Sequence, residues 1–116
     1  MALDGIWVFE AAGIHGWEQI STVFLEKGRY LGGSSERHTV GTYSIDGKKF
    51  KATIKVVQHG EIRAVFGGKR KRFSVVFSGK REGDQINGSV SLKGGKSTDP
   101  DYPVRLLRQE DLPALP

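Results

Sequence analysis

Three histidines, one Gly-Lys-Ser triplet and a run of four basic residues are the side chains in this sequence best suited by type to do chemistry. His15, His38 and His59 could ligate a metal through their neutral imidazoles. All three flank turns, and none has the i, i+2 or i, i+4 spacing that sets two imidazoles on one side of an element. Exposed loop histidines and no metal are therefore the expectation. Gly95-Lys96-Ser97 matches the end of a phosphate-binding loop. That loop needs a glycine five positions earlier, where Val90 stands, and a helix whose N-terminal N–H groups face the phosphate; Pro100 and Pro103 interrupt any such helix. Cysteine is absent, which excludes a thiolate metal site, a disulfide scaffold and a cysteine nucleophile. No Gly-x-Ser-x-Gly elbow occurs. The polar stretch Ser34-Ser35-Glu36-Arg37-His38 lies in one loop, whereas a catalytic triad is assembled from separate rigid elements. The carboxylates are spread singly. We expect no catalytic residue, no cofactor and no enzyme.

The run Lys69-Arg70-Lys71-Arg72 is the densest charge feature of a chain whose formal net charge is +5. Residues 1–47 hold 3 basic and 6 acidic side chains, and residues 48–108 hold 15 and 5. Together with Arg63, Lys80, Arg81, Lys49, Lys51 and Lys55, the run could form a patch for a polyanion. Single-stranded nucleic acid is bound where basic groups alternate with exposed rings on which bases stack. Here Phe50, Phe66, Phe73 and Phe77 fall on apolar faces instead, so a solvated hairpin tip is favoured over a nucleic-acid site.

The elements that would position these groups read as strands. Glycine supplies 16 of 116 residues, roughly twice its usual share of about 7%. It recurs without the three-residue period of collagen and too often for long helices. Nine runs rich in β-branched and aromatic residues are separated by glycine turns: Gly5–Glu10, Glu18–Glu26, Arg29–Ser34, Thr39–Ser44, Lys48–Gln58, Glu61–Phe66, Arg72–Lys80, Gln85–Leu92 and Val104–Arg108. Alternation is strict in several. Phe50, Ala52, Ile54 and Val56 share one face, and Lys49, Lys51, Thr53 and Lys55 the other. Asp46-Gly47 is a two-residue hairpin signal of the kind that suits a type I′ turn. The expectation is an all-β, antiparallel, up-and-down barrel of about 8–9 strands, with a single turn of helix near Ser34–His38 or at the tail. One domain over residues 1–116 is expected, with its core in 4–108 and a tail at 109–116. A hydrophobic content of 37% suffices for a core at this length. No stretch has the length of a signal peptide's apolar segment or of a membrane span, so a cytoplasmic protein without membrane contact is expected.

Asp4-Gly5-Ile6-Trp7, then Lys27-Gly28-Arg29-Tyr30-Leu31-Gly32-Gly33, then Gly41-Thr42-Tyr43-Ser44 follow one pattern. It is similar to that of the GrlR-type negative regulators of type III secretion, most clearly over residues 4–58 and more weakly to about 108. The resemblance implies a lipocalin-like β-barrel without catalytic activity, often a homodimer, that acts by binding a regulatory protein. In the characterised regulator an exposed Glu-Asp-Glu-Asp loop serves sequestration of a transcriptional activator. The corresponding loop here is Ile45-Asp46-Gly47-Lys48, where only Asp46 is acidic and Lys48 and Lys49 reverse the charge. That acidic mode of binding does not carry over.

Three functions are therefore expected in order. The first is a regulatory protein-binding module whose partner surface includes Asp46, Lys48 and Lys49, or Lys69, Arg70, Lys71 and Arg72. The second is a carrier or sensor of a small apolar ligand in the barrel, lined by Trp7, Phe9, Phe24, Phe50, Ile54, Phe66, Phe73, Phe77 and Val90. The third is a weak anion or nucleic-acid binder at the basic hairpin.

Overall fold

Alternating apolar residues become the inner wall of a closed barrel. The structure, a computed structural model, describes residues 3–59, 71–94 and 101–112. Its strands are β1 (Gly5–Gly13), β2 (Gly16–Glu26), β3 (Arg29–Gly33), β4 (Arg37–Asp46), β5 (Lys49–Gln58), β6 (Arg72–Glu82), β7 (Gln85–Leu92) and β8 (Tyr102–Glu110). Each pairs antiparallel with the next, and β8 returns to pair with β1. The expected all-β, up-and-down barrel is thus the architecture, with eight strands among the described residues. The run Glu61–Phe66 lies outside the described residues.

The turns follow the glycines, with one difference of type. At Lys27-Gly28 both central residues have positive φ, 48° and 83°, as a type I′ hairpin demands. At Asp46-Gly47 the two-residue loop is Gly47-Lys48, and only the glycine has positive φ, 60°. Glycine leading a two-residue loop is the type II′ arrangement, so the expected I′ turn is a II′ turn there. The expected turn of helix is not found: Ser35 and Glu36 form a bend, Ser34 N donates to Arg37 O at 2.9 Å, and Arg37 already pairs with Gln58. The described part of the tail continues β8 to Glu110. β1 and β2 are longer than their apolar runs, because their polar ends continue the ladder to Gly13↔Gly16 around Ile14-His15.

The two ends of the barrel differ. One carries the β2–β3, β4–β5 and β6–β7 turns and is plugged. There Leu3 is buried, and Trp7 Nε1 donates to its carbonyl at 3.0 Å. Phe50 and Phe77 stack edge-on at 5.3 Å between ring centroids, and Phe9 meets Phe77 likewise at 6.0 Å. The other end carries the Ile14-His15 turn and the Ser34–Glu36 bend, and the lumen is less filled on that side.

Of the residues read as barrel lining, Trp7, Phe9, Phe50, Ile54, Phe73, Phe77 and Val90 are buried inside. Phe66 lies outside the described residues. Phe24 is a correction. Val23 and Leu25 on either side of it are fully buried, so period two turns Phe24 outward, where it is 42% exposed.

Candidate functional site

The lumen holds a cavity of about 40 Å³ walled by Phe9, Ile54, Val56, Phe73 and Val75 with Tyr30, Arg37 and Thr39. Pockets for drug-sized ligands are roughly 300 Å³ or larger. The aromatic plug consumes the space that such a ligand would need. Sequence reasoning missed the three polar members. Arg37, Thr39 and Gly41 share the inward face of β4, and that face was legible only if the strand starts at Arg37, two residues before the apolar run suggests.

Tyr30 is buried, and burial pushes its phenol well above the ordinary value of 10.0. The sign is direct. Above about pH 10 the unfolded chain loses the Tyr30 proton while the folded chain keeps it, so stability falls by up to about 1.4 kcal/mol per pH unit. Tyr30→Phe should remove this part of the alkaline loss, read as a flatter midpoint-versus-pH curve in urea denaturation above pH 10. An unchanged slope would show that Tyr30 does not contribute. Tyr43 is also raised, by burial first, with a Gly28 hydrogen bond acting the other way and Asp4 raising it further, so it acts with the same sign.

Outside, the register divides the barrel into two unlike halves. On β1 to β4, Ile6 pairs with Phe24, Phe24 with Leu31, and Leu31 with Val40. Phe24 and Val40 are exposed, and Ile6 and Leu31 are half-buried. These four side chains make one apolar row across four strands, and outward-facing Val8 lies beside it on β1. On β5 and β6 the outer face is basic and hydroxylated. Lys49 pairs directly with Lys80, Lys51 with Ser78 and Lys55 with Ser74. Like charges placed opposite one another repel.

The two surfaces read from sequence lie at opposite ends. Asp46, Lys48 and Lys49 stand at the β4–β5 turn on the plugged end, whereas Lys71 and Arg72 open β6 at the other. Arg72 pairs with Val57, eight residues along β5 from Lys49, a separation of about 26 Å at strand rise. They do not form one patch. Lys69 and Arg70 lie outside the described residues. The link between the ends is the Lys49, Lys51 and Lys55 row, as its alternation implied.

The fold brings two histidines together. His38, near the start of β4, and His59, just past β5, stack with ring centroids 5.4 Å apart. His15 remains apart at the first hairpin. Among the described residues no group of three or more His, Asp or Glu is placed to hold a metal ion. A second cluster had no sequence signal, because its members are 95 residues apart. Arg105 Nε donates to Glu10 Oε1 at 2.7 Å, and its guanidinium lies 4.1 Å from the Trp17 ring centre. Cross-strand pairing of Glu10 with Arg105 and the cover of Trp17 explain how an outward carboxylate is buried. The arrangement as a whole offers recognition surfaces and a small polar-ended cavity. No protein-family model matches the chain, and no curated protein matches it significantly.

Proposed function

We propose that this chain is a non-enzymatic, GrlR-like regulatory protein of the cytoplasm that acts by binding a protein partner on the outer face of β1 to β4. One observation carries the reading: the unbroken apolar row Ile6, Phe24, Leu31 and Val40 on the outside of the barrel. A row of this kind, rimmed by polar residues, is the surface chemistry of protein contacts. The resemblance of its glycine pattern to regulators of type III secretion supports a regulatory role. The loss of their acidic loop, replaced here by Ile45-Asp46-Gly47-Lys48, supports a contact surface elsewhere on the barrel. The small lumen weighs against a carrier of larger apolar ligands.

A polyanion-binding reading is favoured by one feature, the opposed Lys49 and Lys80 within a face of lysines and serines. A single experiment separates the two. Wild-type protein, Phe24→Glu and the double change Lys49→Glu with Lys80→Glu would be used to capture partners from the native host, with sedimentation of each to detect self-association. Phe24→Glu should reduce capture of a specific protein about tenfold while leaving stability within about 0.5 kcal/mol, as for other surface changes. Loss confined to the lysine variant would transfer the function to the basic face. Retention by both variants would overturn both placements.

A further inference from the structure

A charged side chain lines the lumen with one of its donors unpartnered. The Arg37 side chain is only 11% exposed, and its Nε is buried with no hydrogen-bond partner among the described residues. Its Nη2 forms an ion pair with Glu36 Oε2 at 3.7 Å, without hydrogen-bond contact. Burying a guanidinium donor without a hydrogen-bond acceptor is costly. Thr39 Oγ1 is buried and unpartnered as well, two residues along the same inward face. The Tyr30 phenol lines the same cavity and, held neutral by its burial, keeps a proton to donate. Apart from Ser21 the remaining wall is apolar: Phe9, Ile20, Ile54, Val56, Phe73, Val75 and Val90.

The cavity also has a route to solvent. β2 pairs with β3 only over Thr22–Glu26, so the half of β2 from Gly16 to Ser21 leaves its neighbour. Ile20 and Ser21 line both the cavity and an outer groove of about 240 Å³, and Ile20 and Arg37 line both the cavity and a second groove of about 160 Å³.

We propose that the lumen binds a short-chain monocarboxylate, its carboxylate on Arg37 Nε and Thr39 Oγ1 and its alkyl end against Phe9, Ile54, Val56 and Phe73. Arg37 already faces Glu36 at 3.7 Å, so its free Nε suits at most one further negative charge, which disfavours a dianion such as phosphate in so apolar a site. A water-sized group needs about 10–15 Å³ of such space. The cavity of about 40 Å³ therefore takes three or four non-hydrogen atoms, the count of acetate, with propionate one atom larger. This site is independent of the outer face proposed above and shares no side chain with it.

The test is an amide-shift titration by NMR with sodium propionate, against propionamide and sodium chloride at matched concentration. Propionate should produce saturable shifts at Tyr30, Thr39, Ile54 and Val75 with millimolar affinity, about 1–10 mM. Propionamide and chloride should not. Arg37→Met should weaken binding about tenfold or more, the loss of one charge-assisted contact. It should also raise the melting temperature, since it removes a buried charge with an unmatched donor. Thr39→Val, nearly isosteric, should weaken binding about threefold to tenfold and keep the fold. Any of three results overturns the proposal: no saturable shift up to about 100 mM, equal shifts with propionamide, or affinity unchanged in both variants.

Discussion

Gly88→Ala should destabilise the barrel by about 3 kcal/mol or more, an overpacking cost at the upper end of the usual range. The sign is informative, because propensity alone predicts the opposite: alanine in a strand interior is favoured over glycine by about 0.5–1 kcal/mol. Contact decides it. A Cβ on Gly88 would lie 2.0 Å from Ser78 O and 2.6 Å from the Cα of Gly79 on the neighbouring strand. Those are backbone atoms, so no rotamer change can move them aside. β6 and β7 would have to separate where Gly79 and Gly88 face each other in the ladder. Opening that ladder would also disturb Phe77 and Val90, a cross-strand pair on the buried face. Urea denaturation of Gly88→Ala beside Ser89→Ala makes the comparison. Ser89 points outward at the adjacent position, and its replacement should stay within about 0.5 kcal/mol. Equal midpoints for the two variants would mean that β6 and β7 do not approach so closely.

Gly88 also shows what was legible in the sequence and what was not. A glycine inside an alternating strand signals close backbone approach, but the sequence does not say to which strand. That depends on register, which the two-residue Gly83-Asp84 loop of the β6–β7 hairpin sets by pairing Glu82 with Gln85 and so Gly79 with Gly88. The inward and outward faces of β5 and β6 were readable from alternation alone, because lysines and serines oppose phenylalanines and valines over most of both strands, with Val76 the apolar exception on the outer face of β6. β2 was harder. Phe24 looks like a core residue by type, yet it lies between Val23 and Leu25, and three adjacent apolar side chains cannot all face one side of a strand. Bulk argued for burial and phase argued against it, and phase won. The cavity residues failed for another reason. Arg37 carries the charge of a loop residue, and nothing local shows that β4 starts there; the pairing of Arg37 with Gln58 draws it into the barrel. The Glu10–Arg105 pair depends on β8 closing on β1, whereas the His38–His59 stack follows from the β4–β5 ladder, which sets His38 opposite Val57.

The plugged end yields the other large effect. Trp7→Ala should cost about 3–5 kcal/mol, the range for truncating a buried aromatic side chain to alanine. A domain of this length has a total stability of roughly 6–17 kcal/mol, so the variant gives up a substantial part of it. Trp7 is fully buried and shares the core with Leu25, Phe50, Phe77 and Leu106, and its Nε1 fixes the carbonyl of Leu3. Truncation therefore removes ring contacts, leaves a void that rigid strands cannot close, and frees the segment that caps the barrel. Trp7→Phe separates these effects: it retains most of the packing and loses the indole hydrogen bond, so about 1–2 kcal/mol should be lost. Guanidinium denaturation followed by circular dichroism measures both. Fluorescence adds an independent check, since the only other tryptophan, Trp17, is partly exposed. Both variants should lose the blue-shifted part of the emission. A cost below about 1.5 kcal/mol for Trp7→Ala, small against the usual penalty for such a void, would show that the plugged end collapses around the missing ring. The spare space in this barrel would then not be confined to the end that holds Arg37.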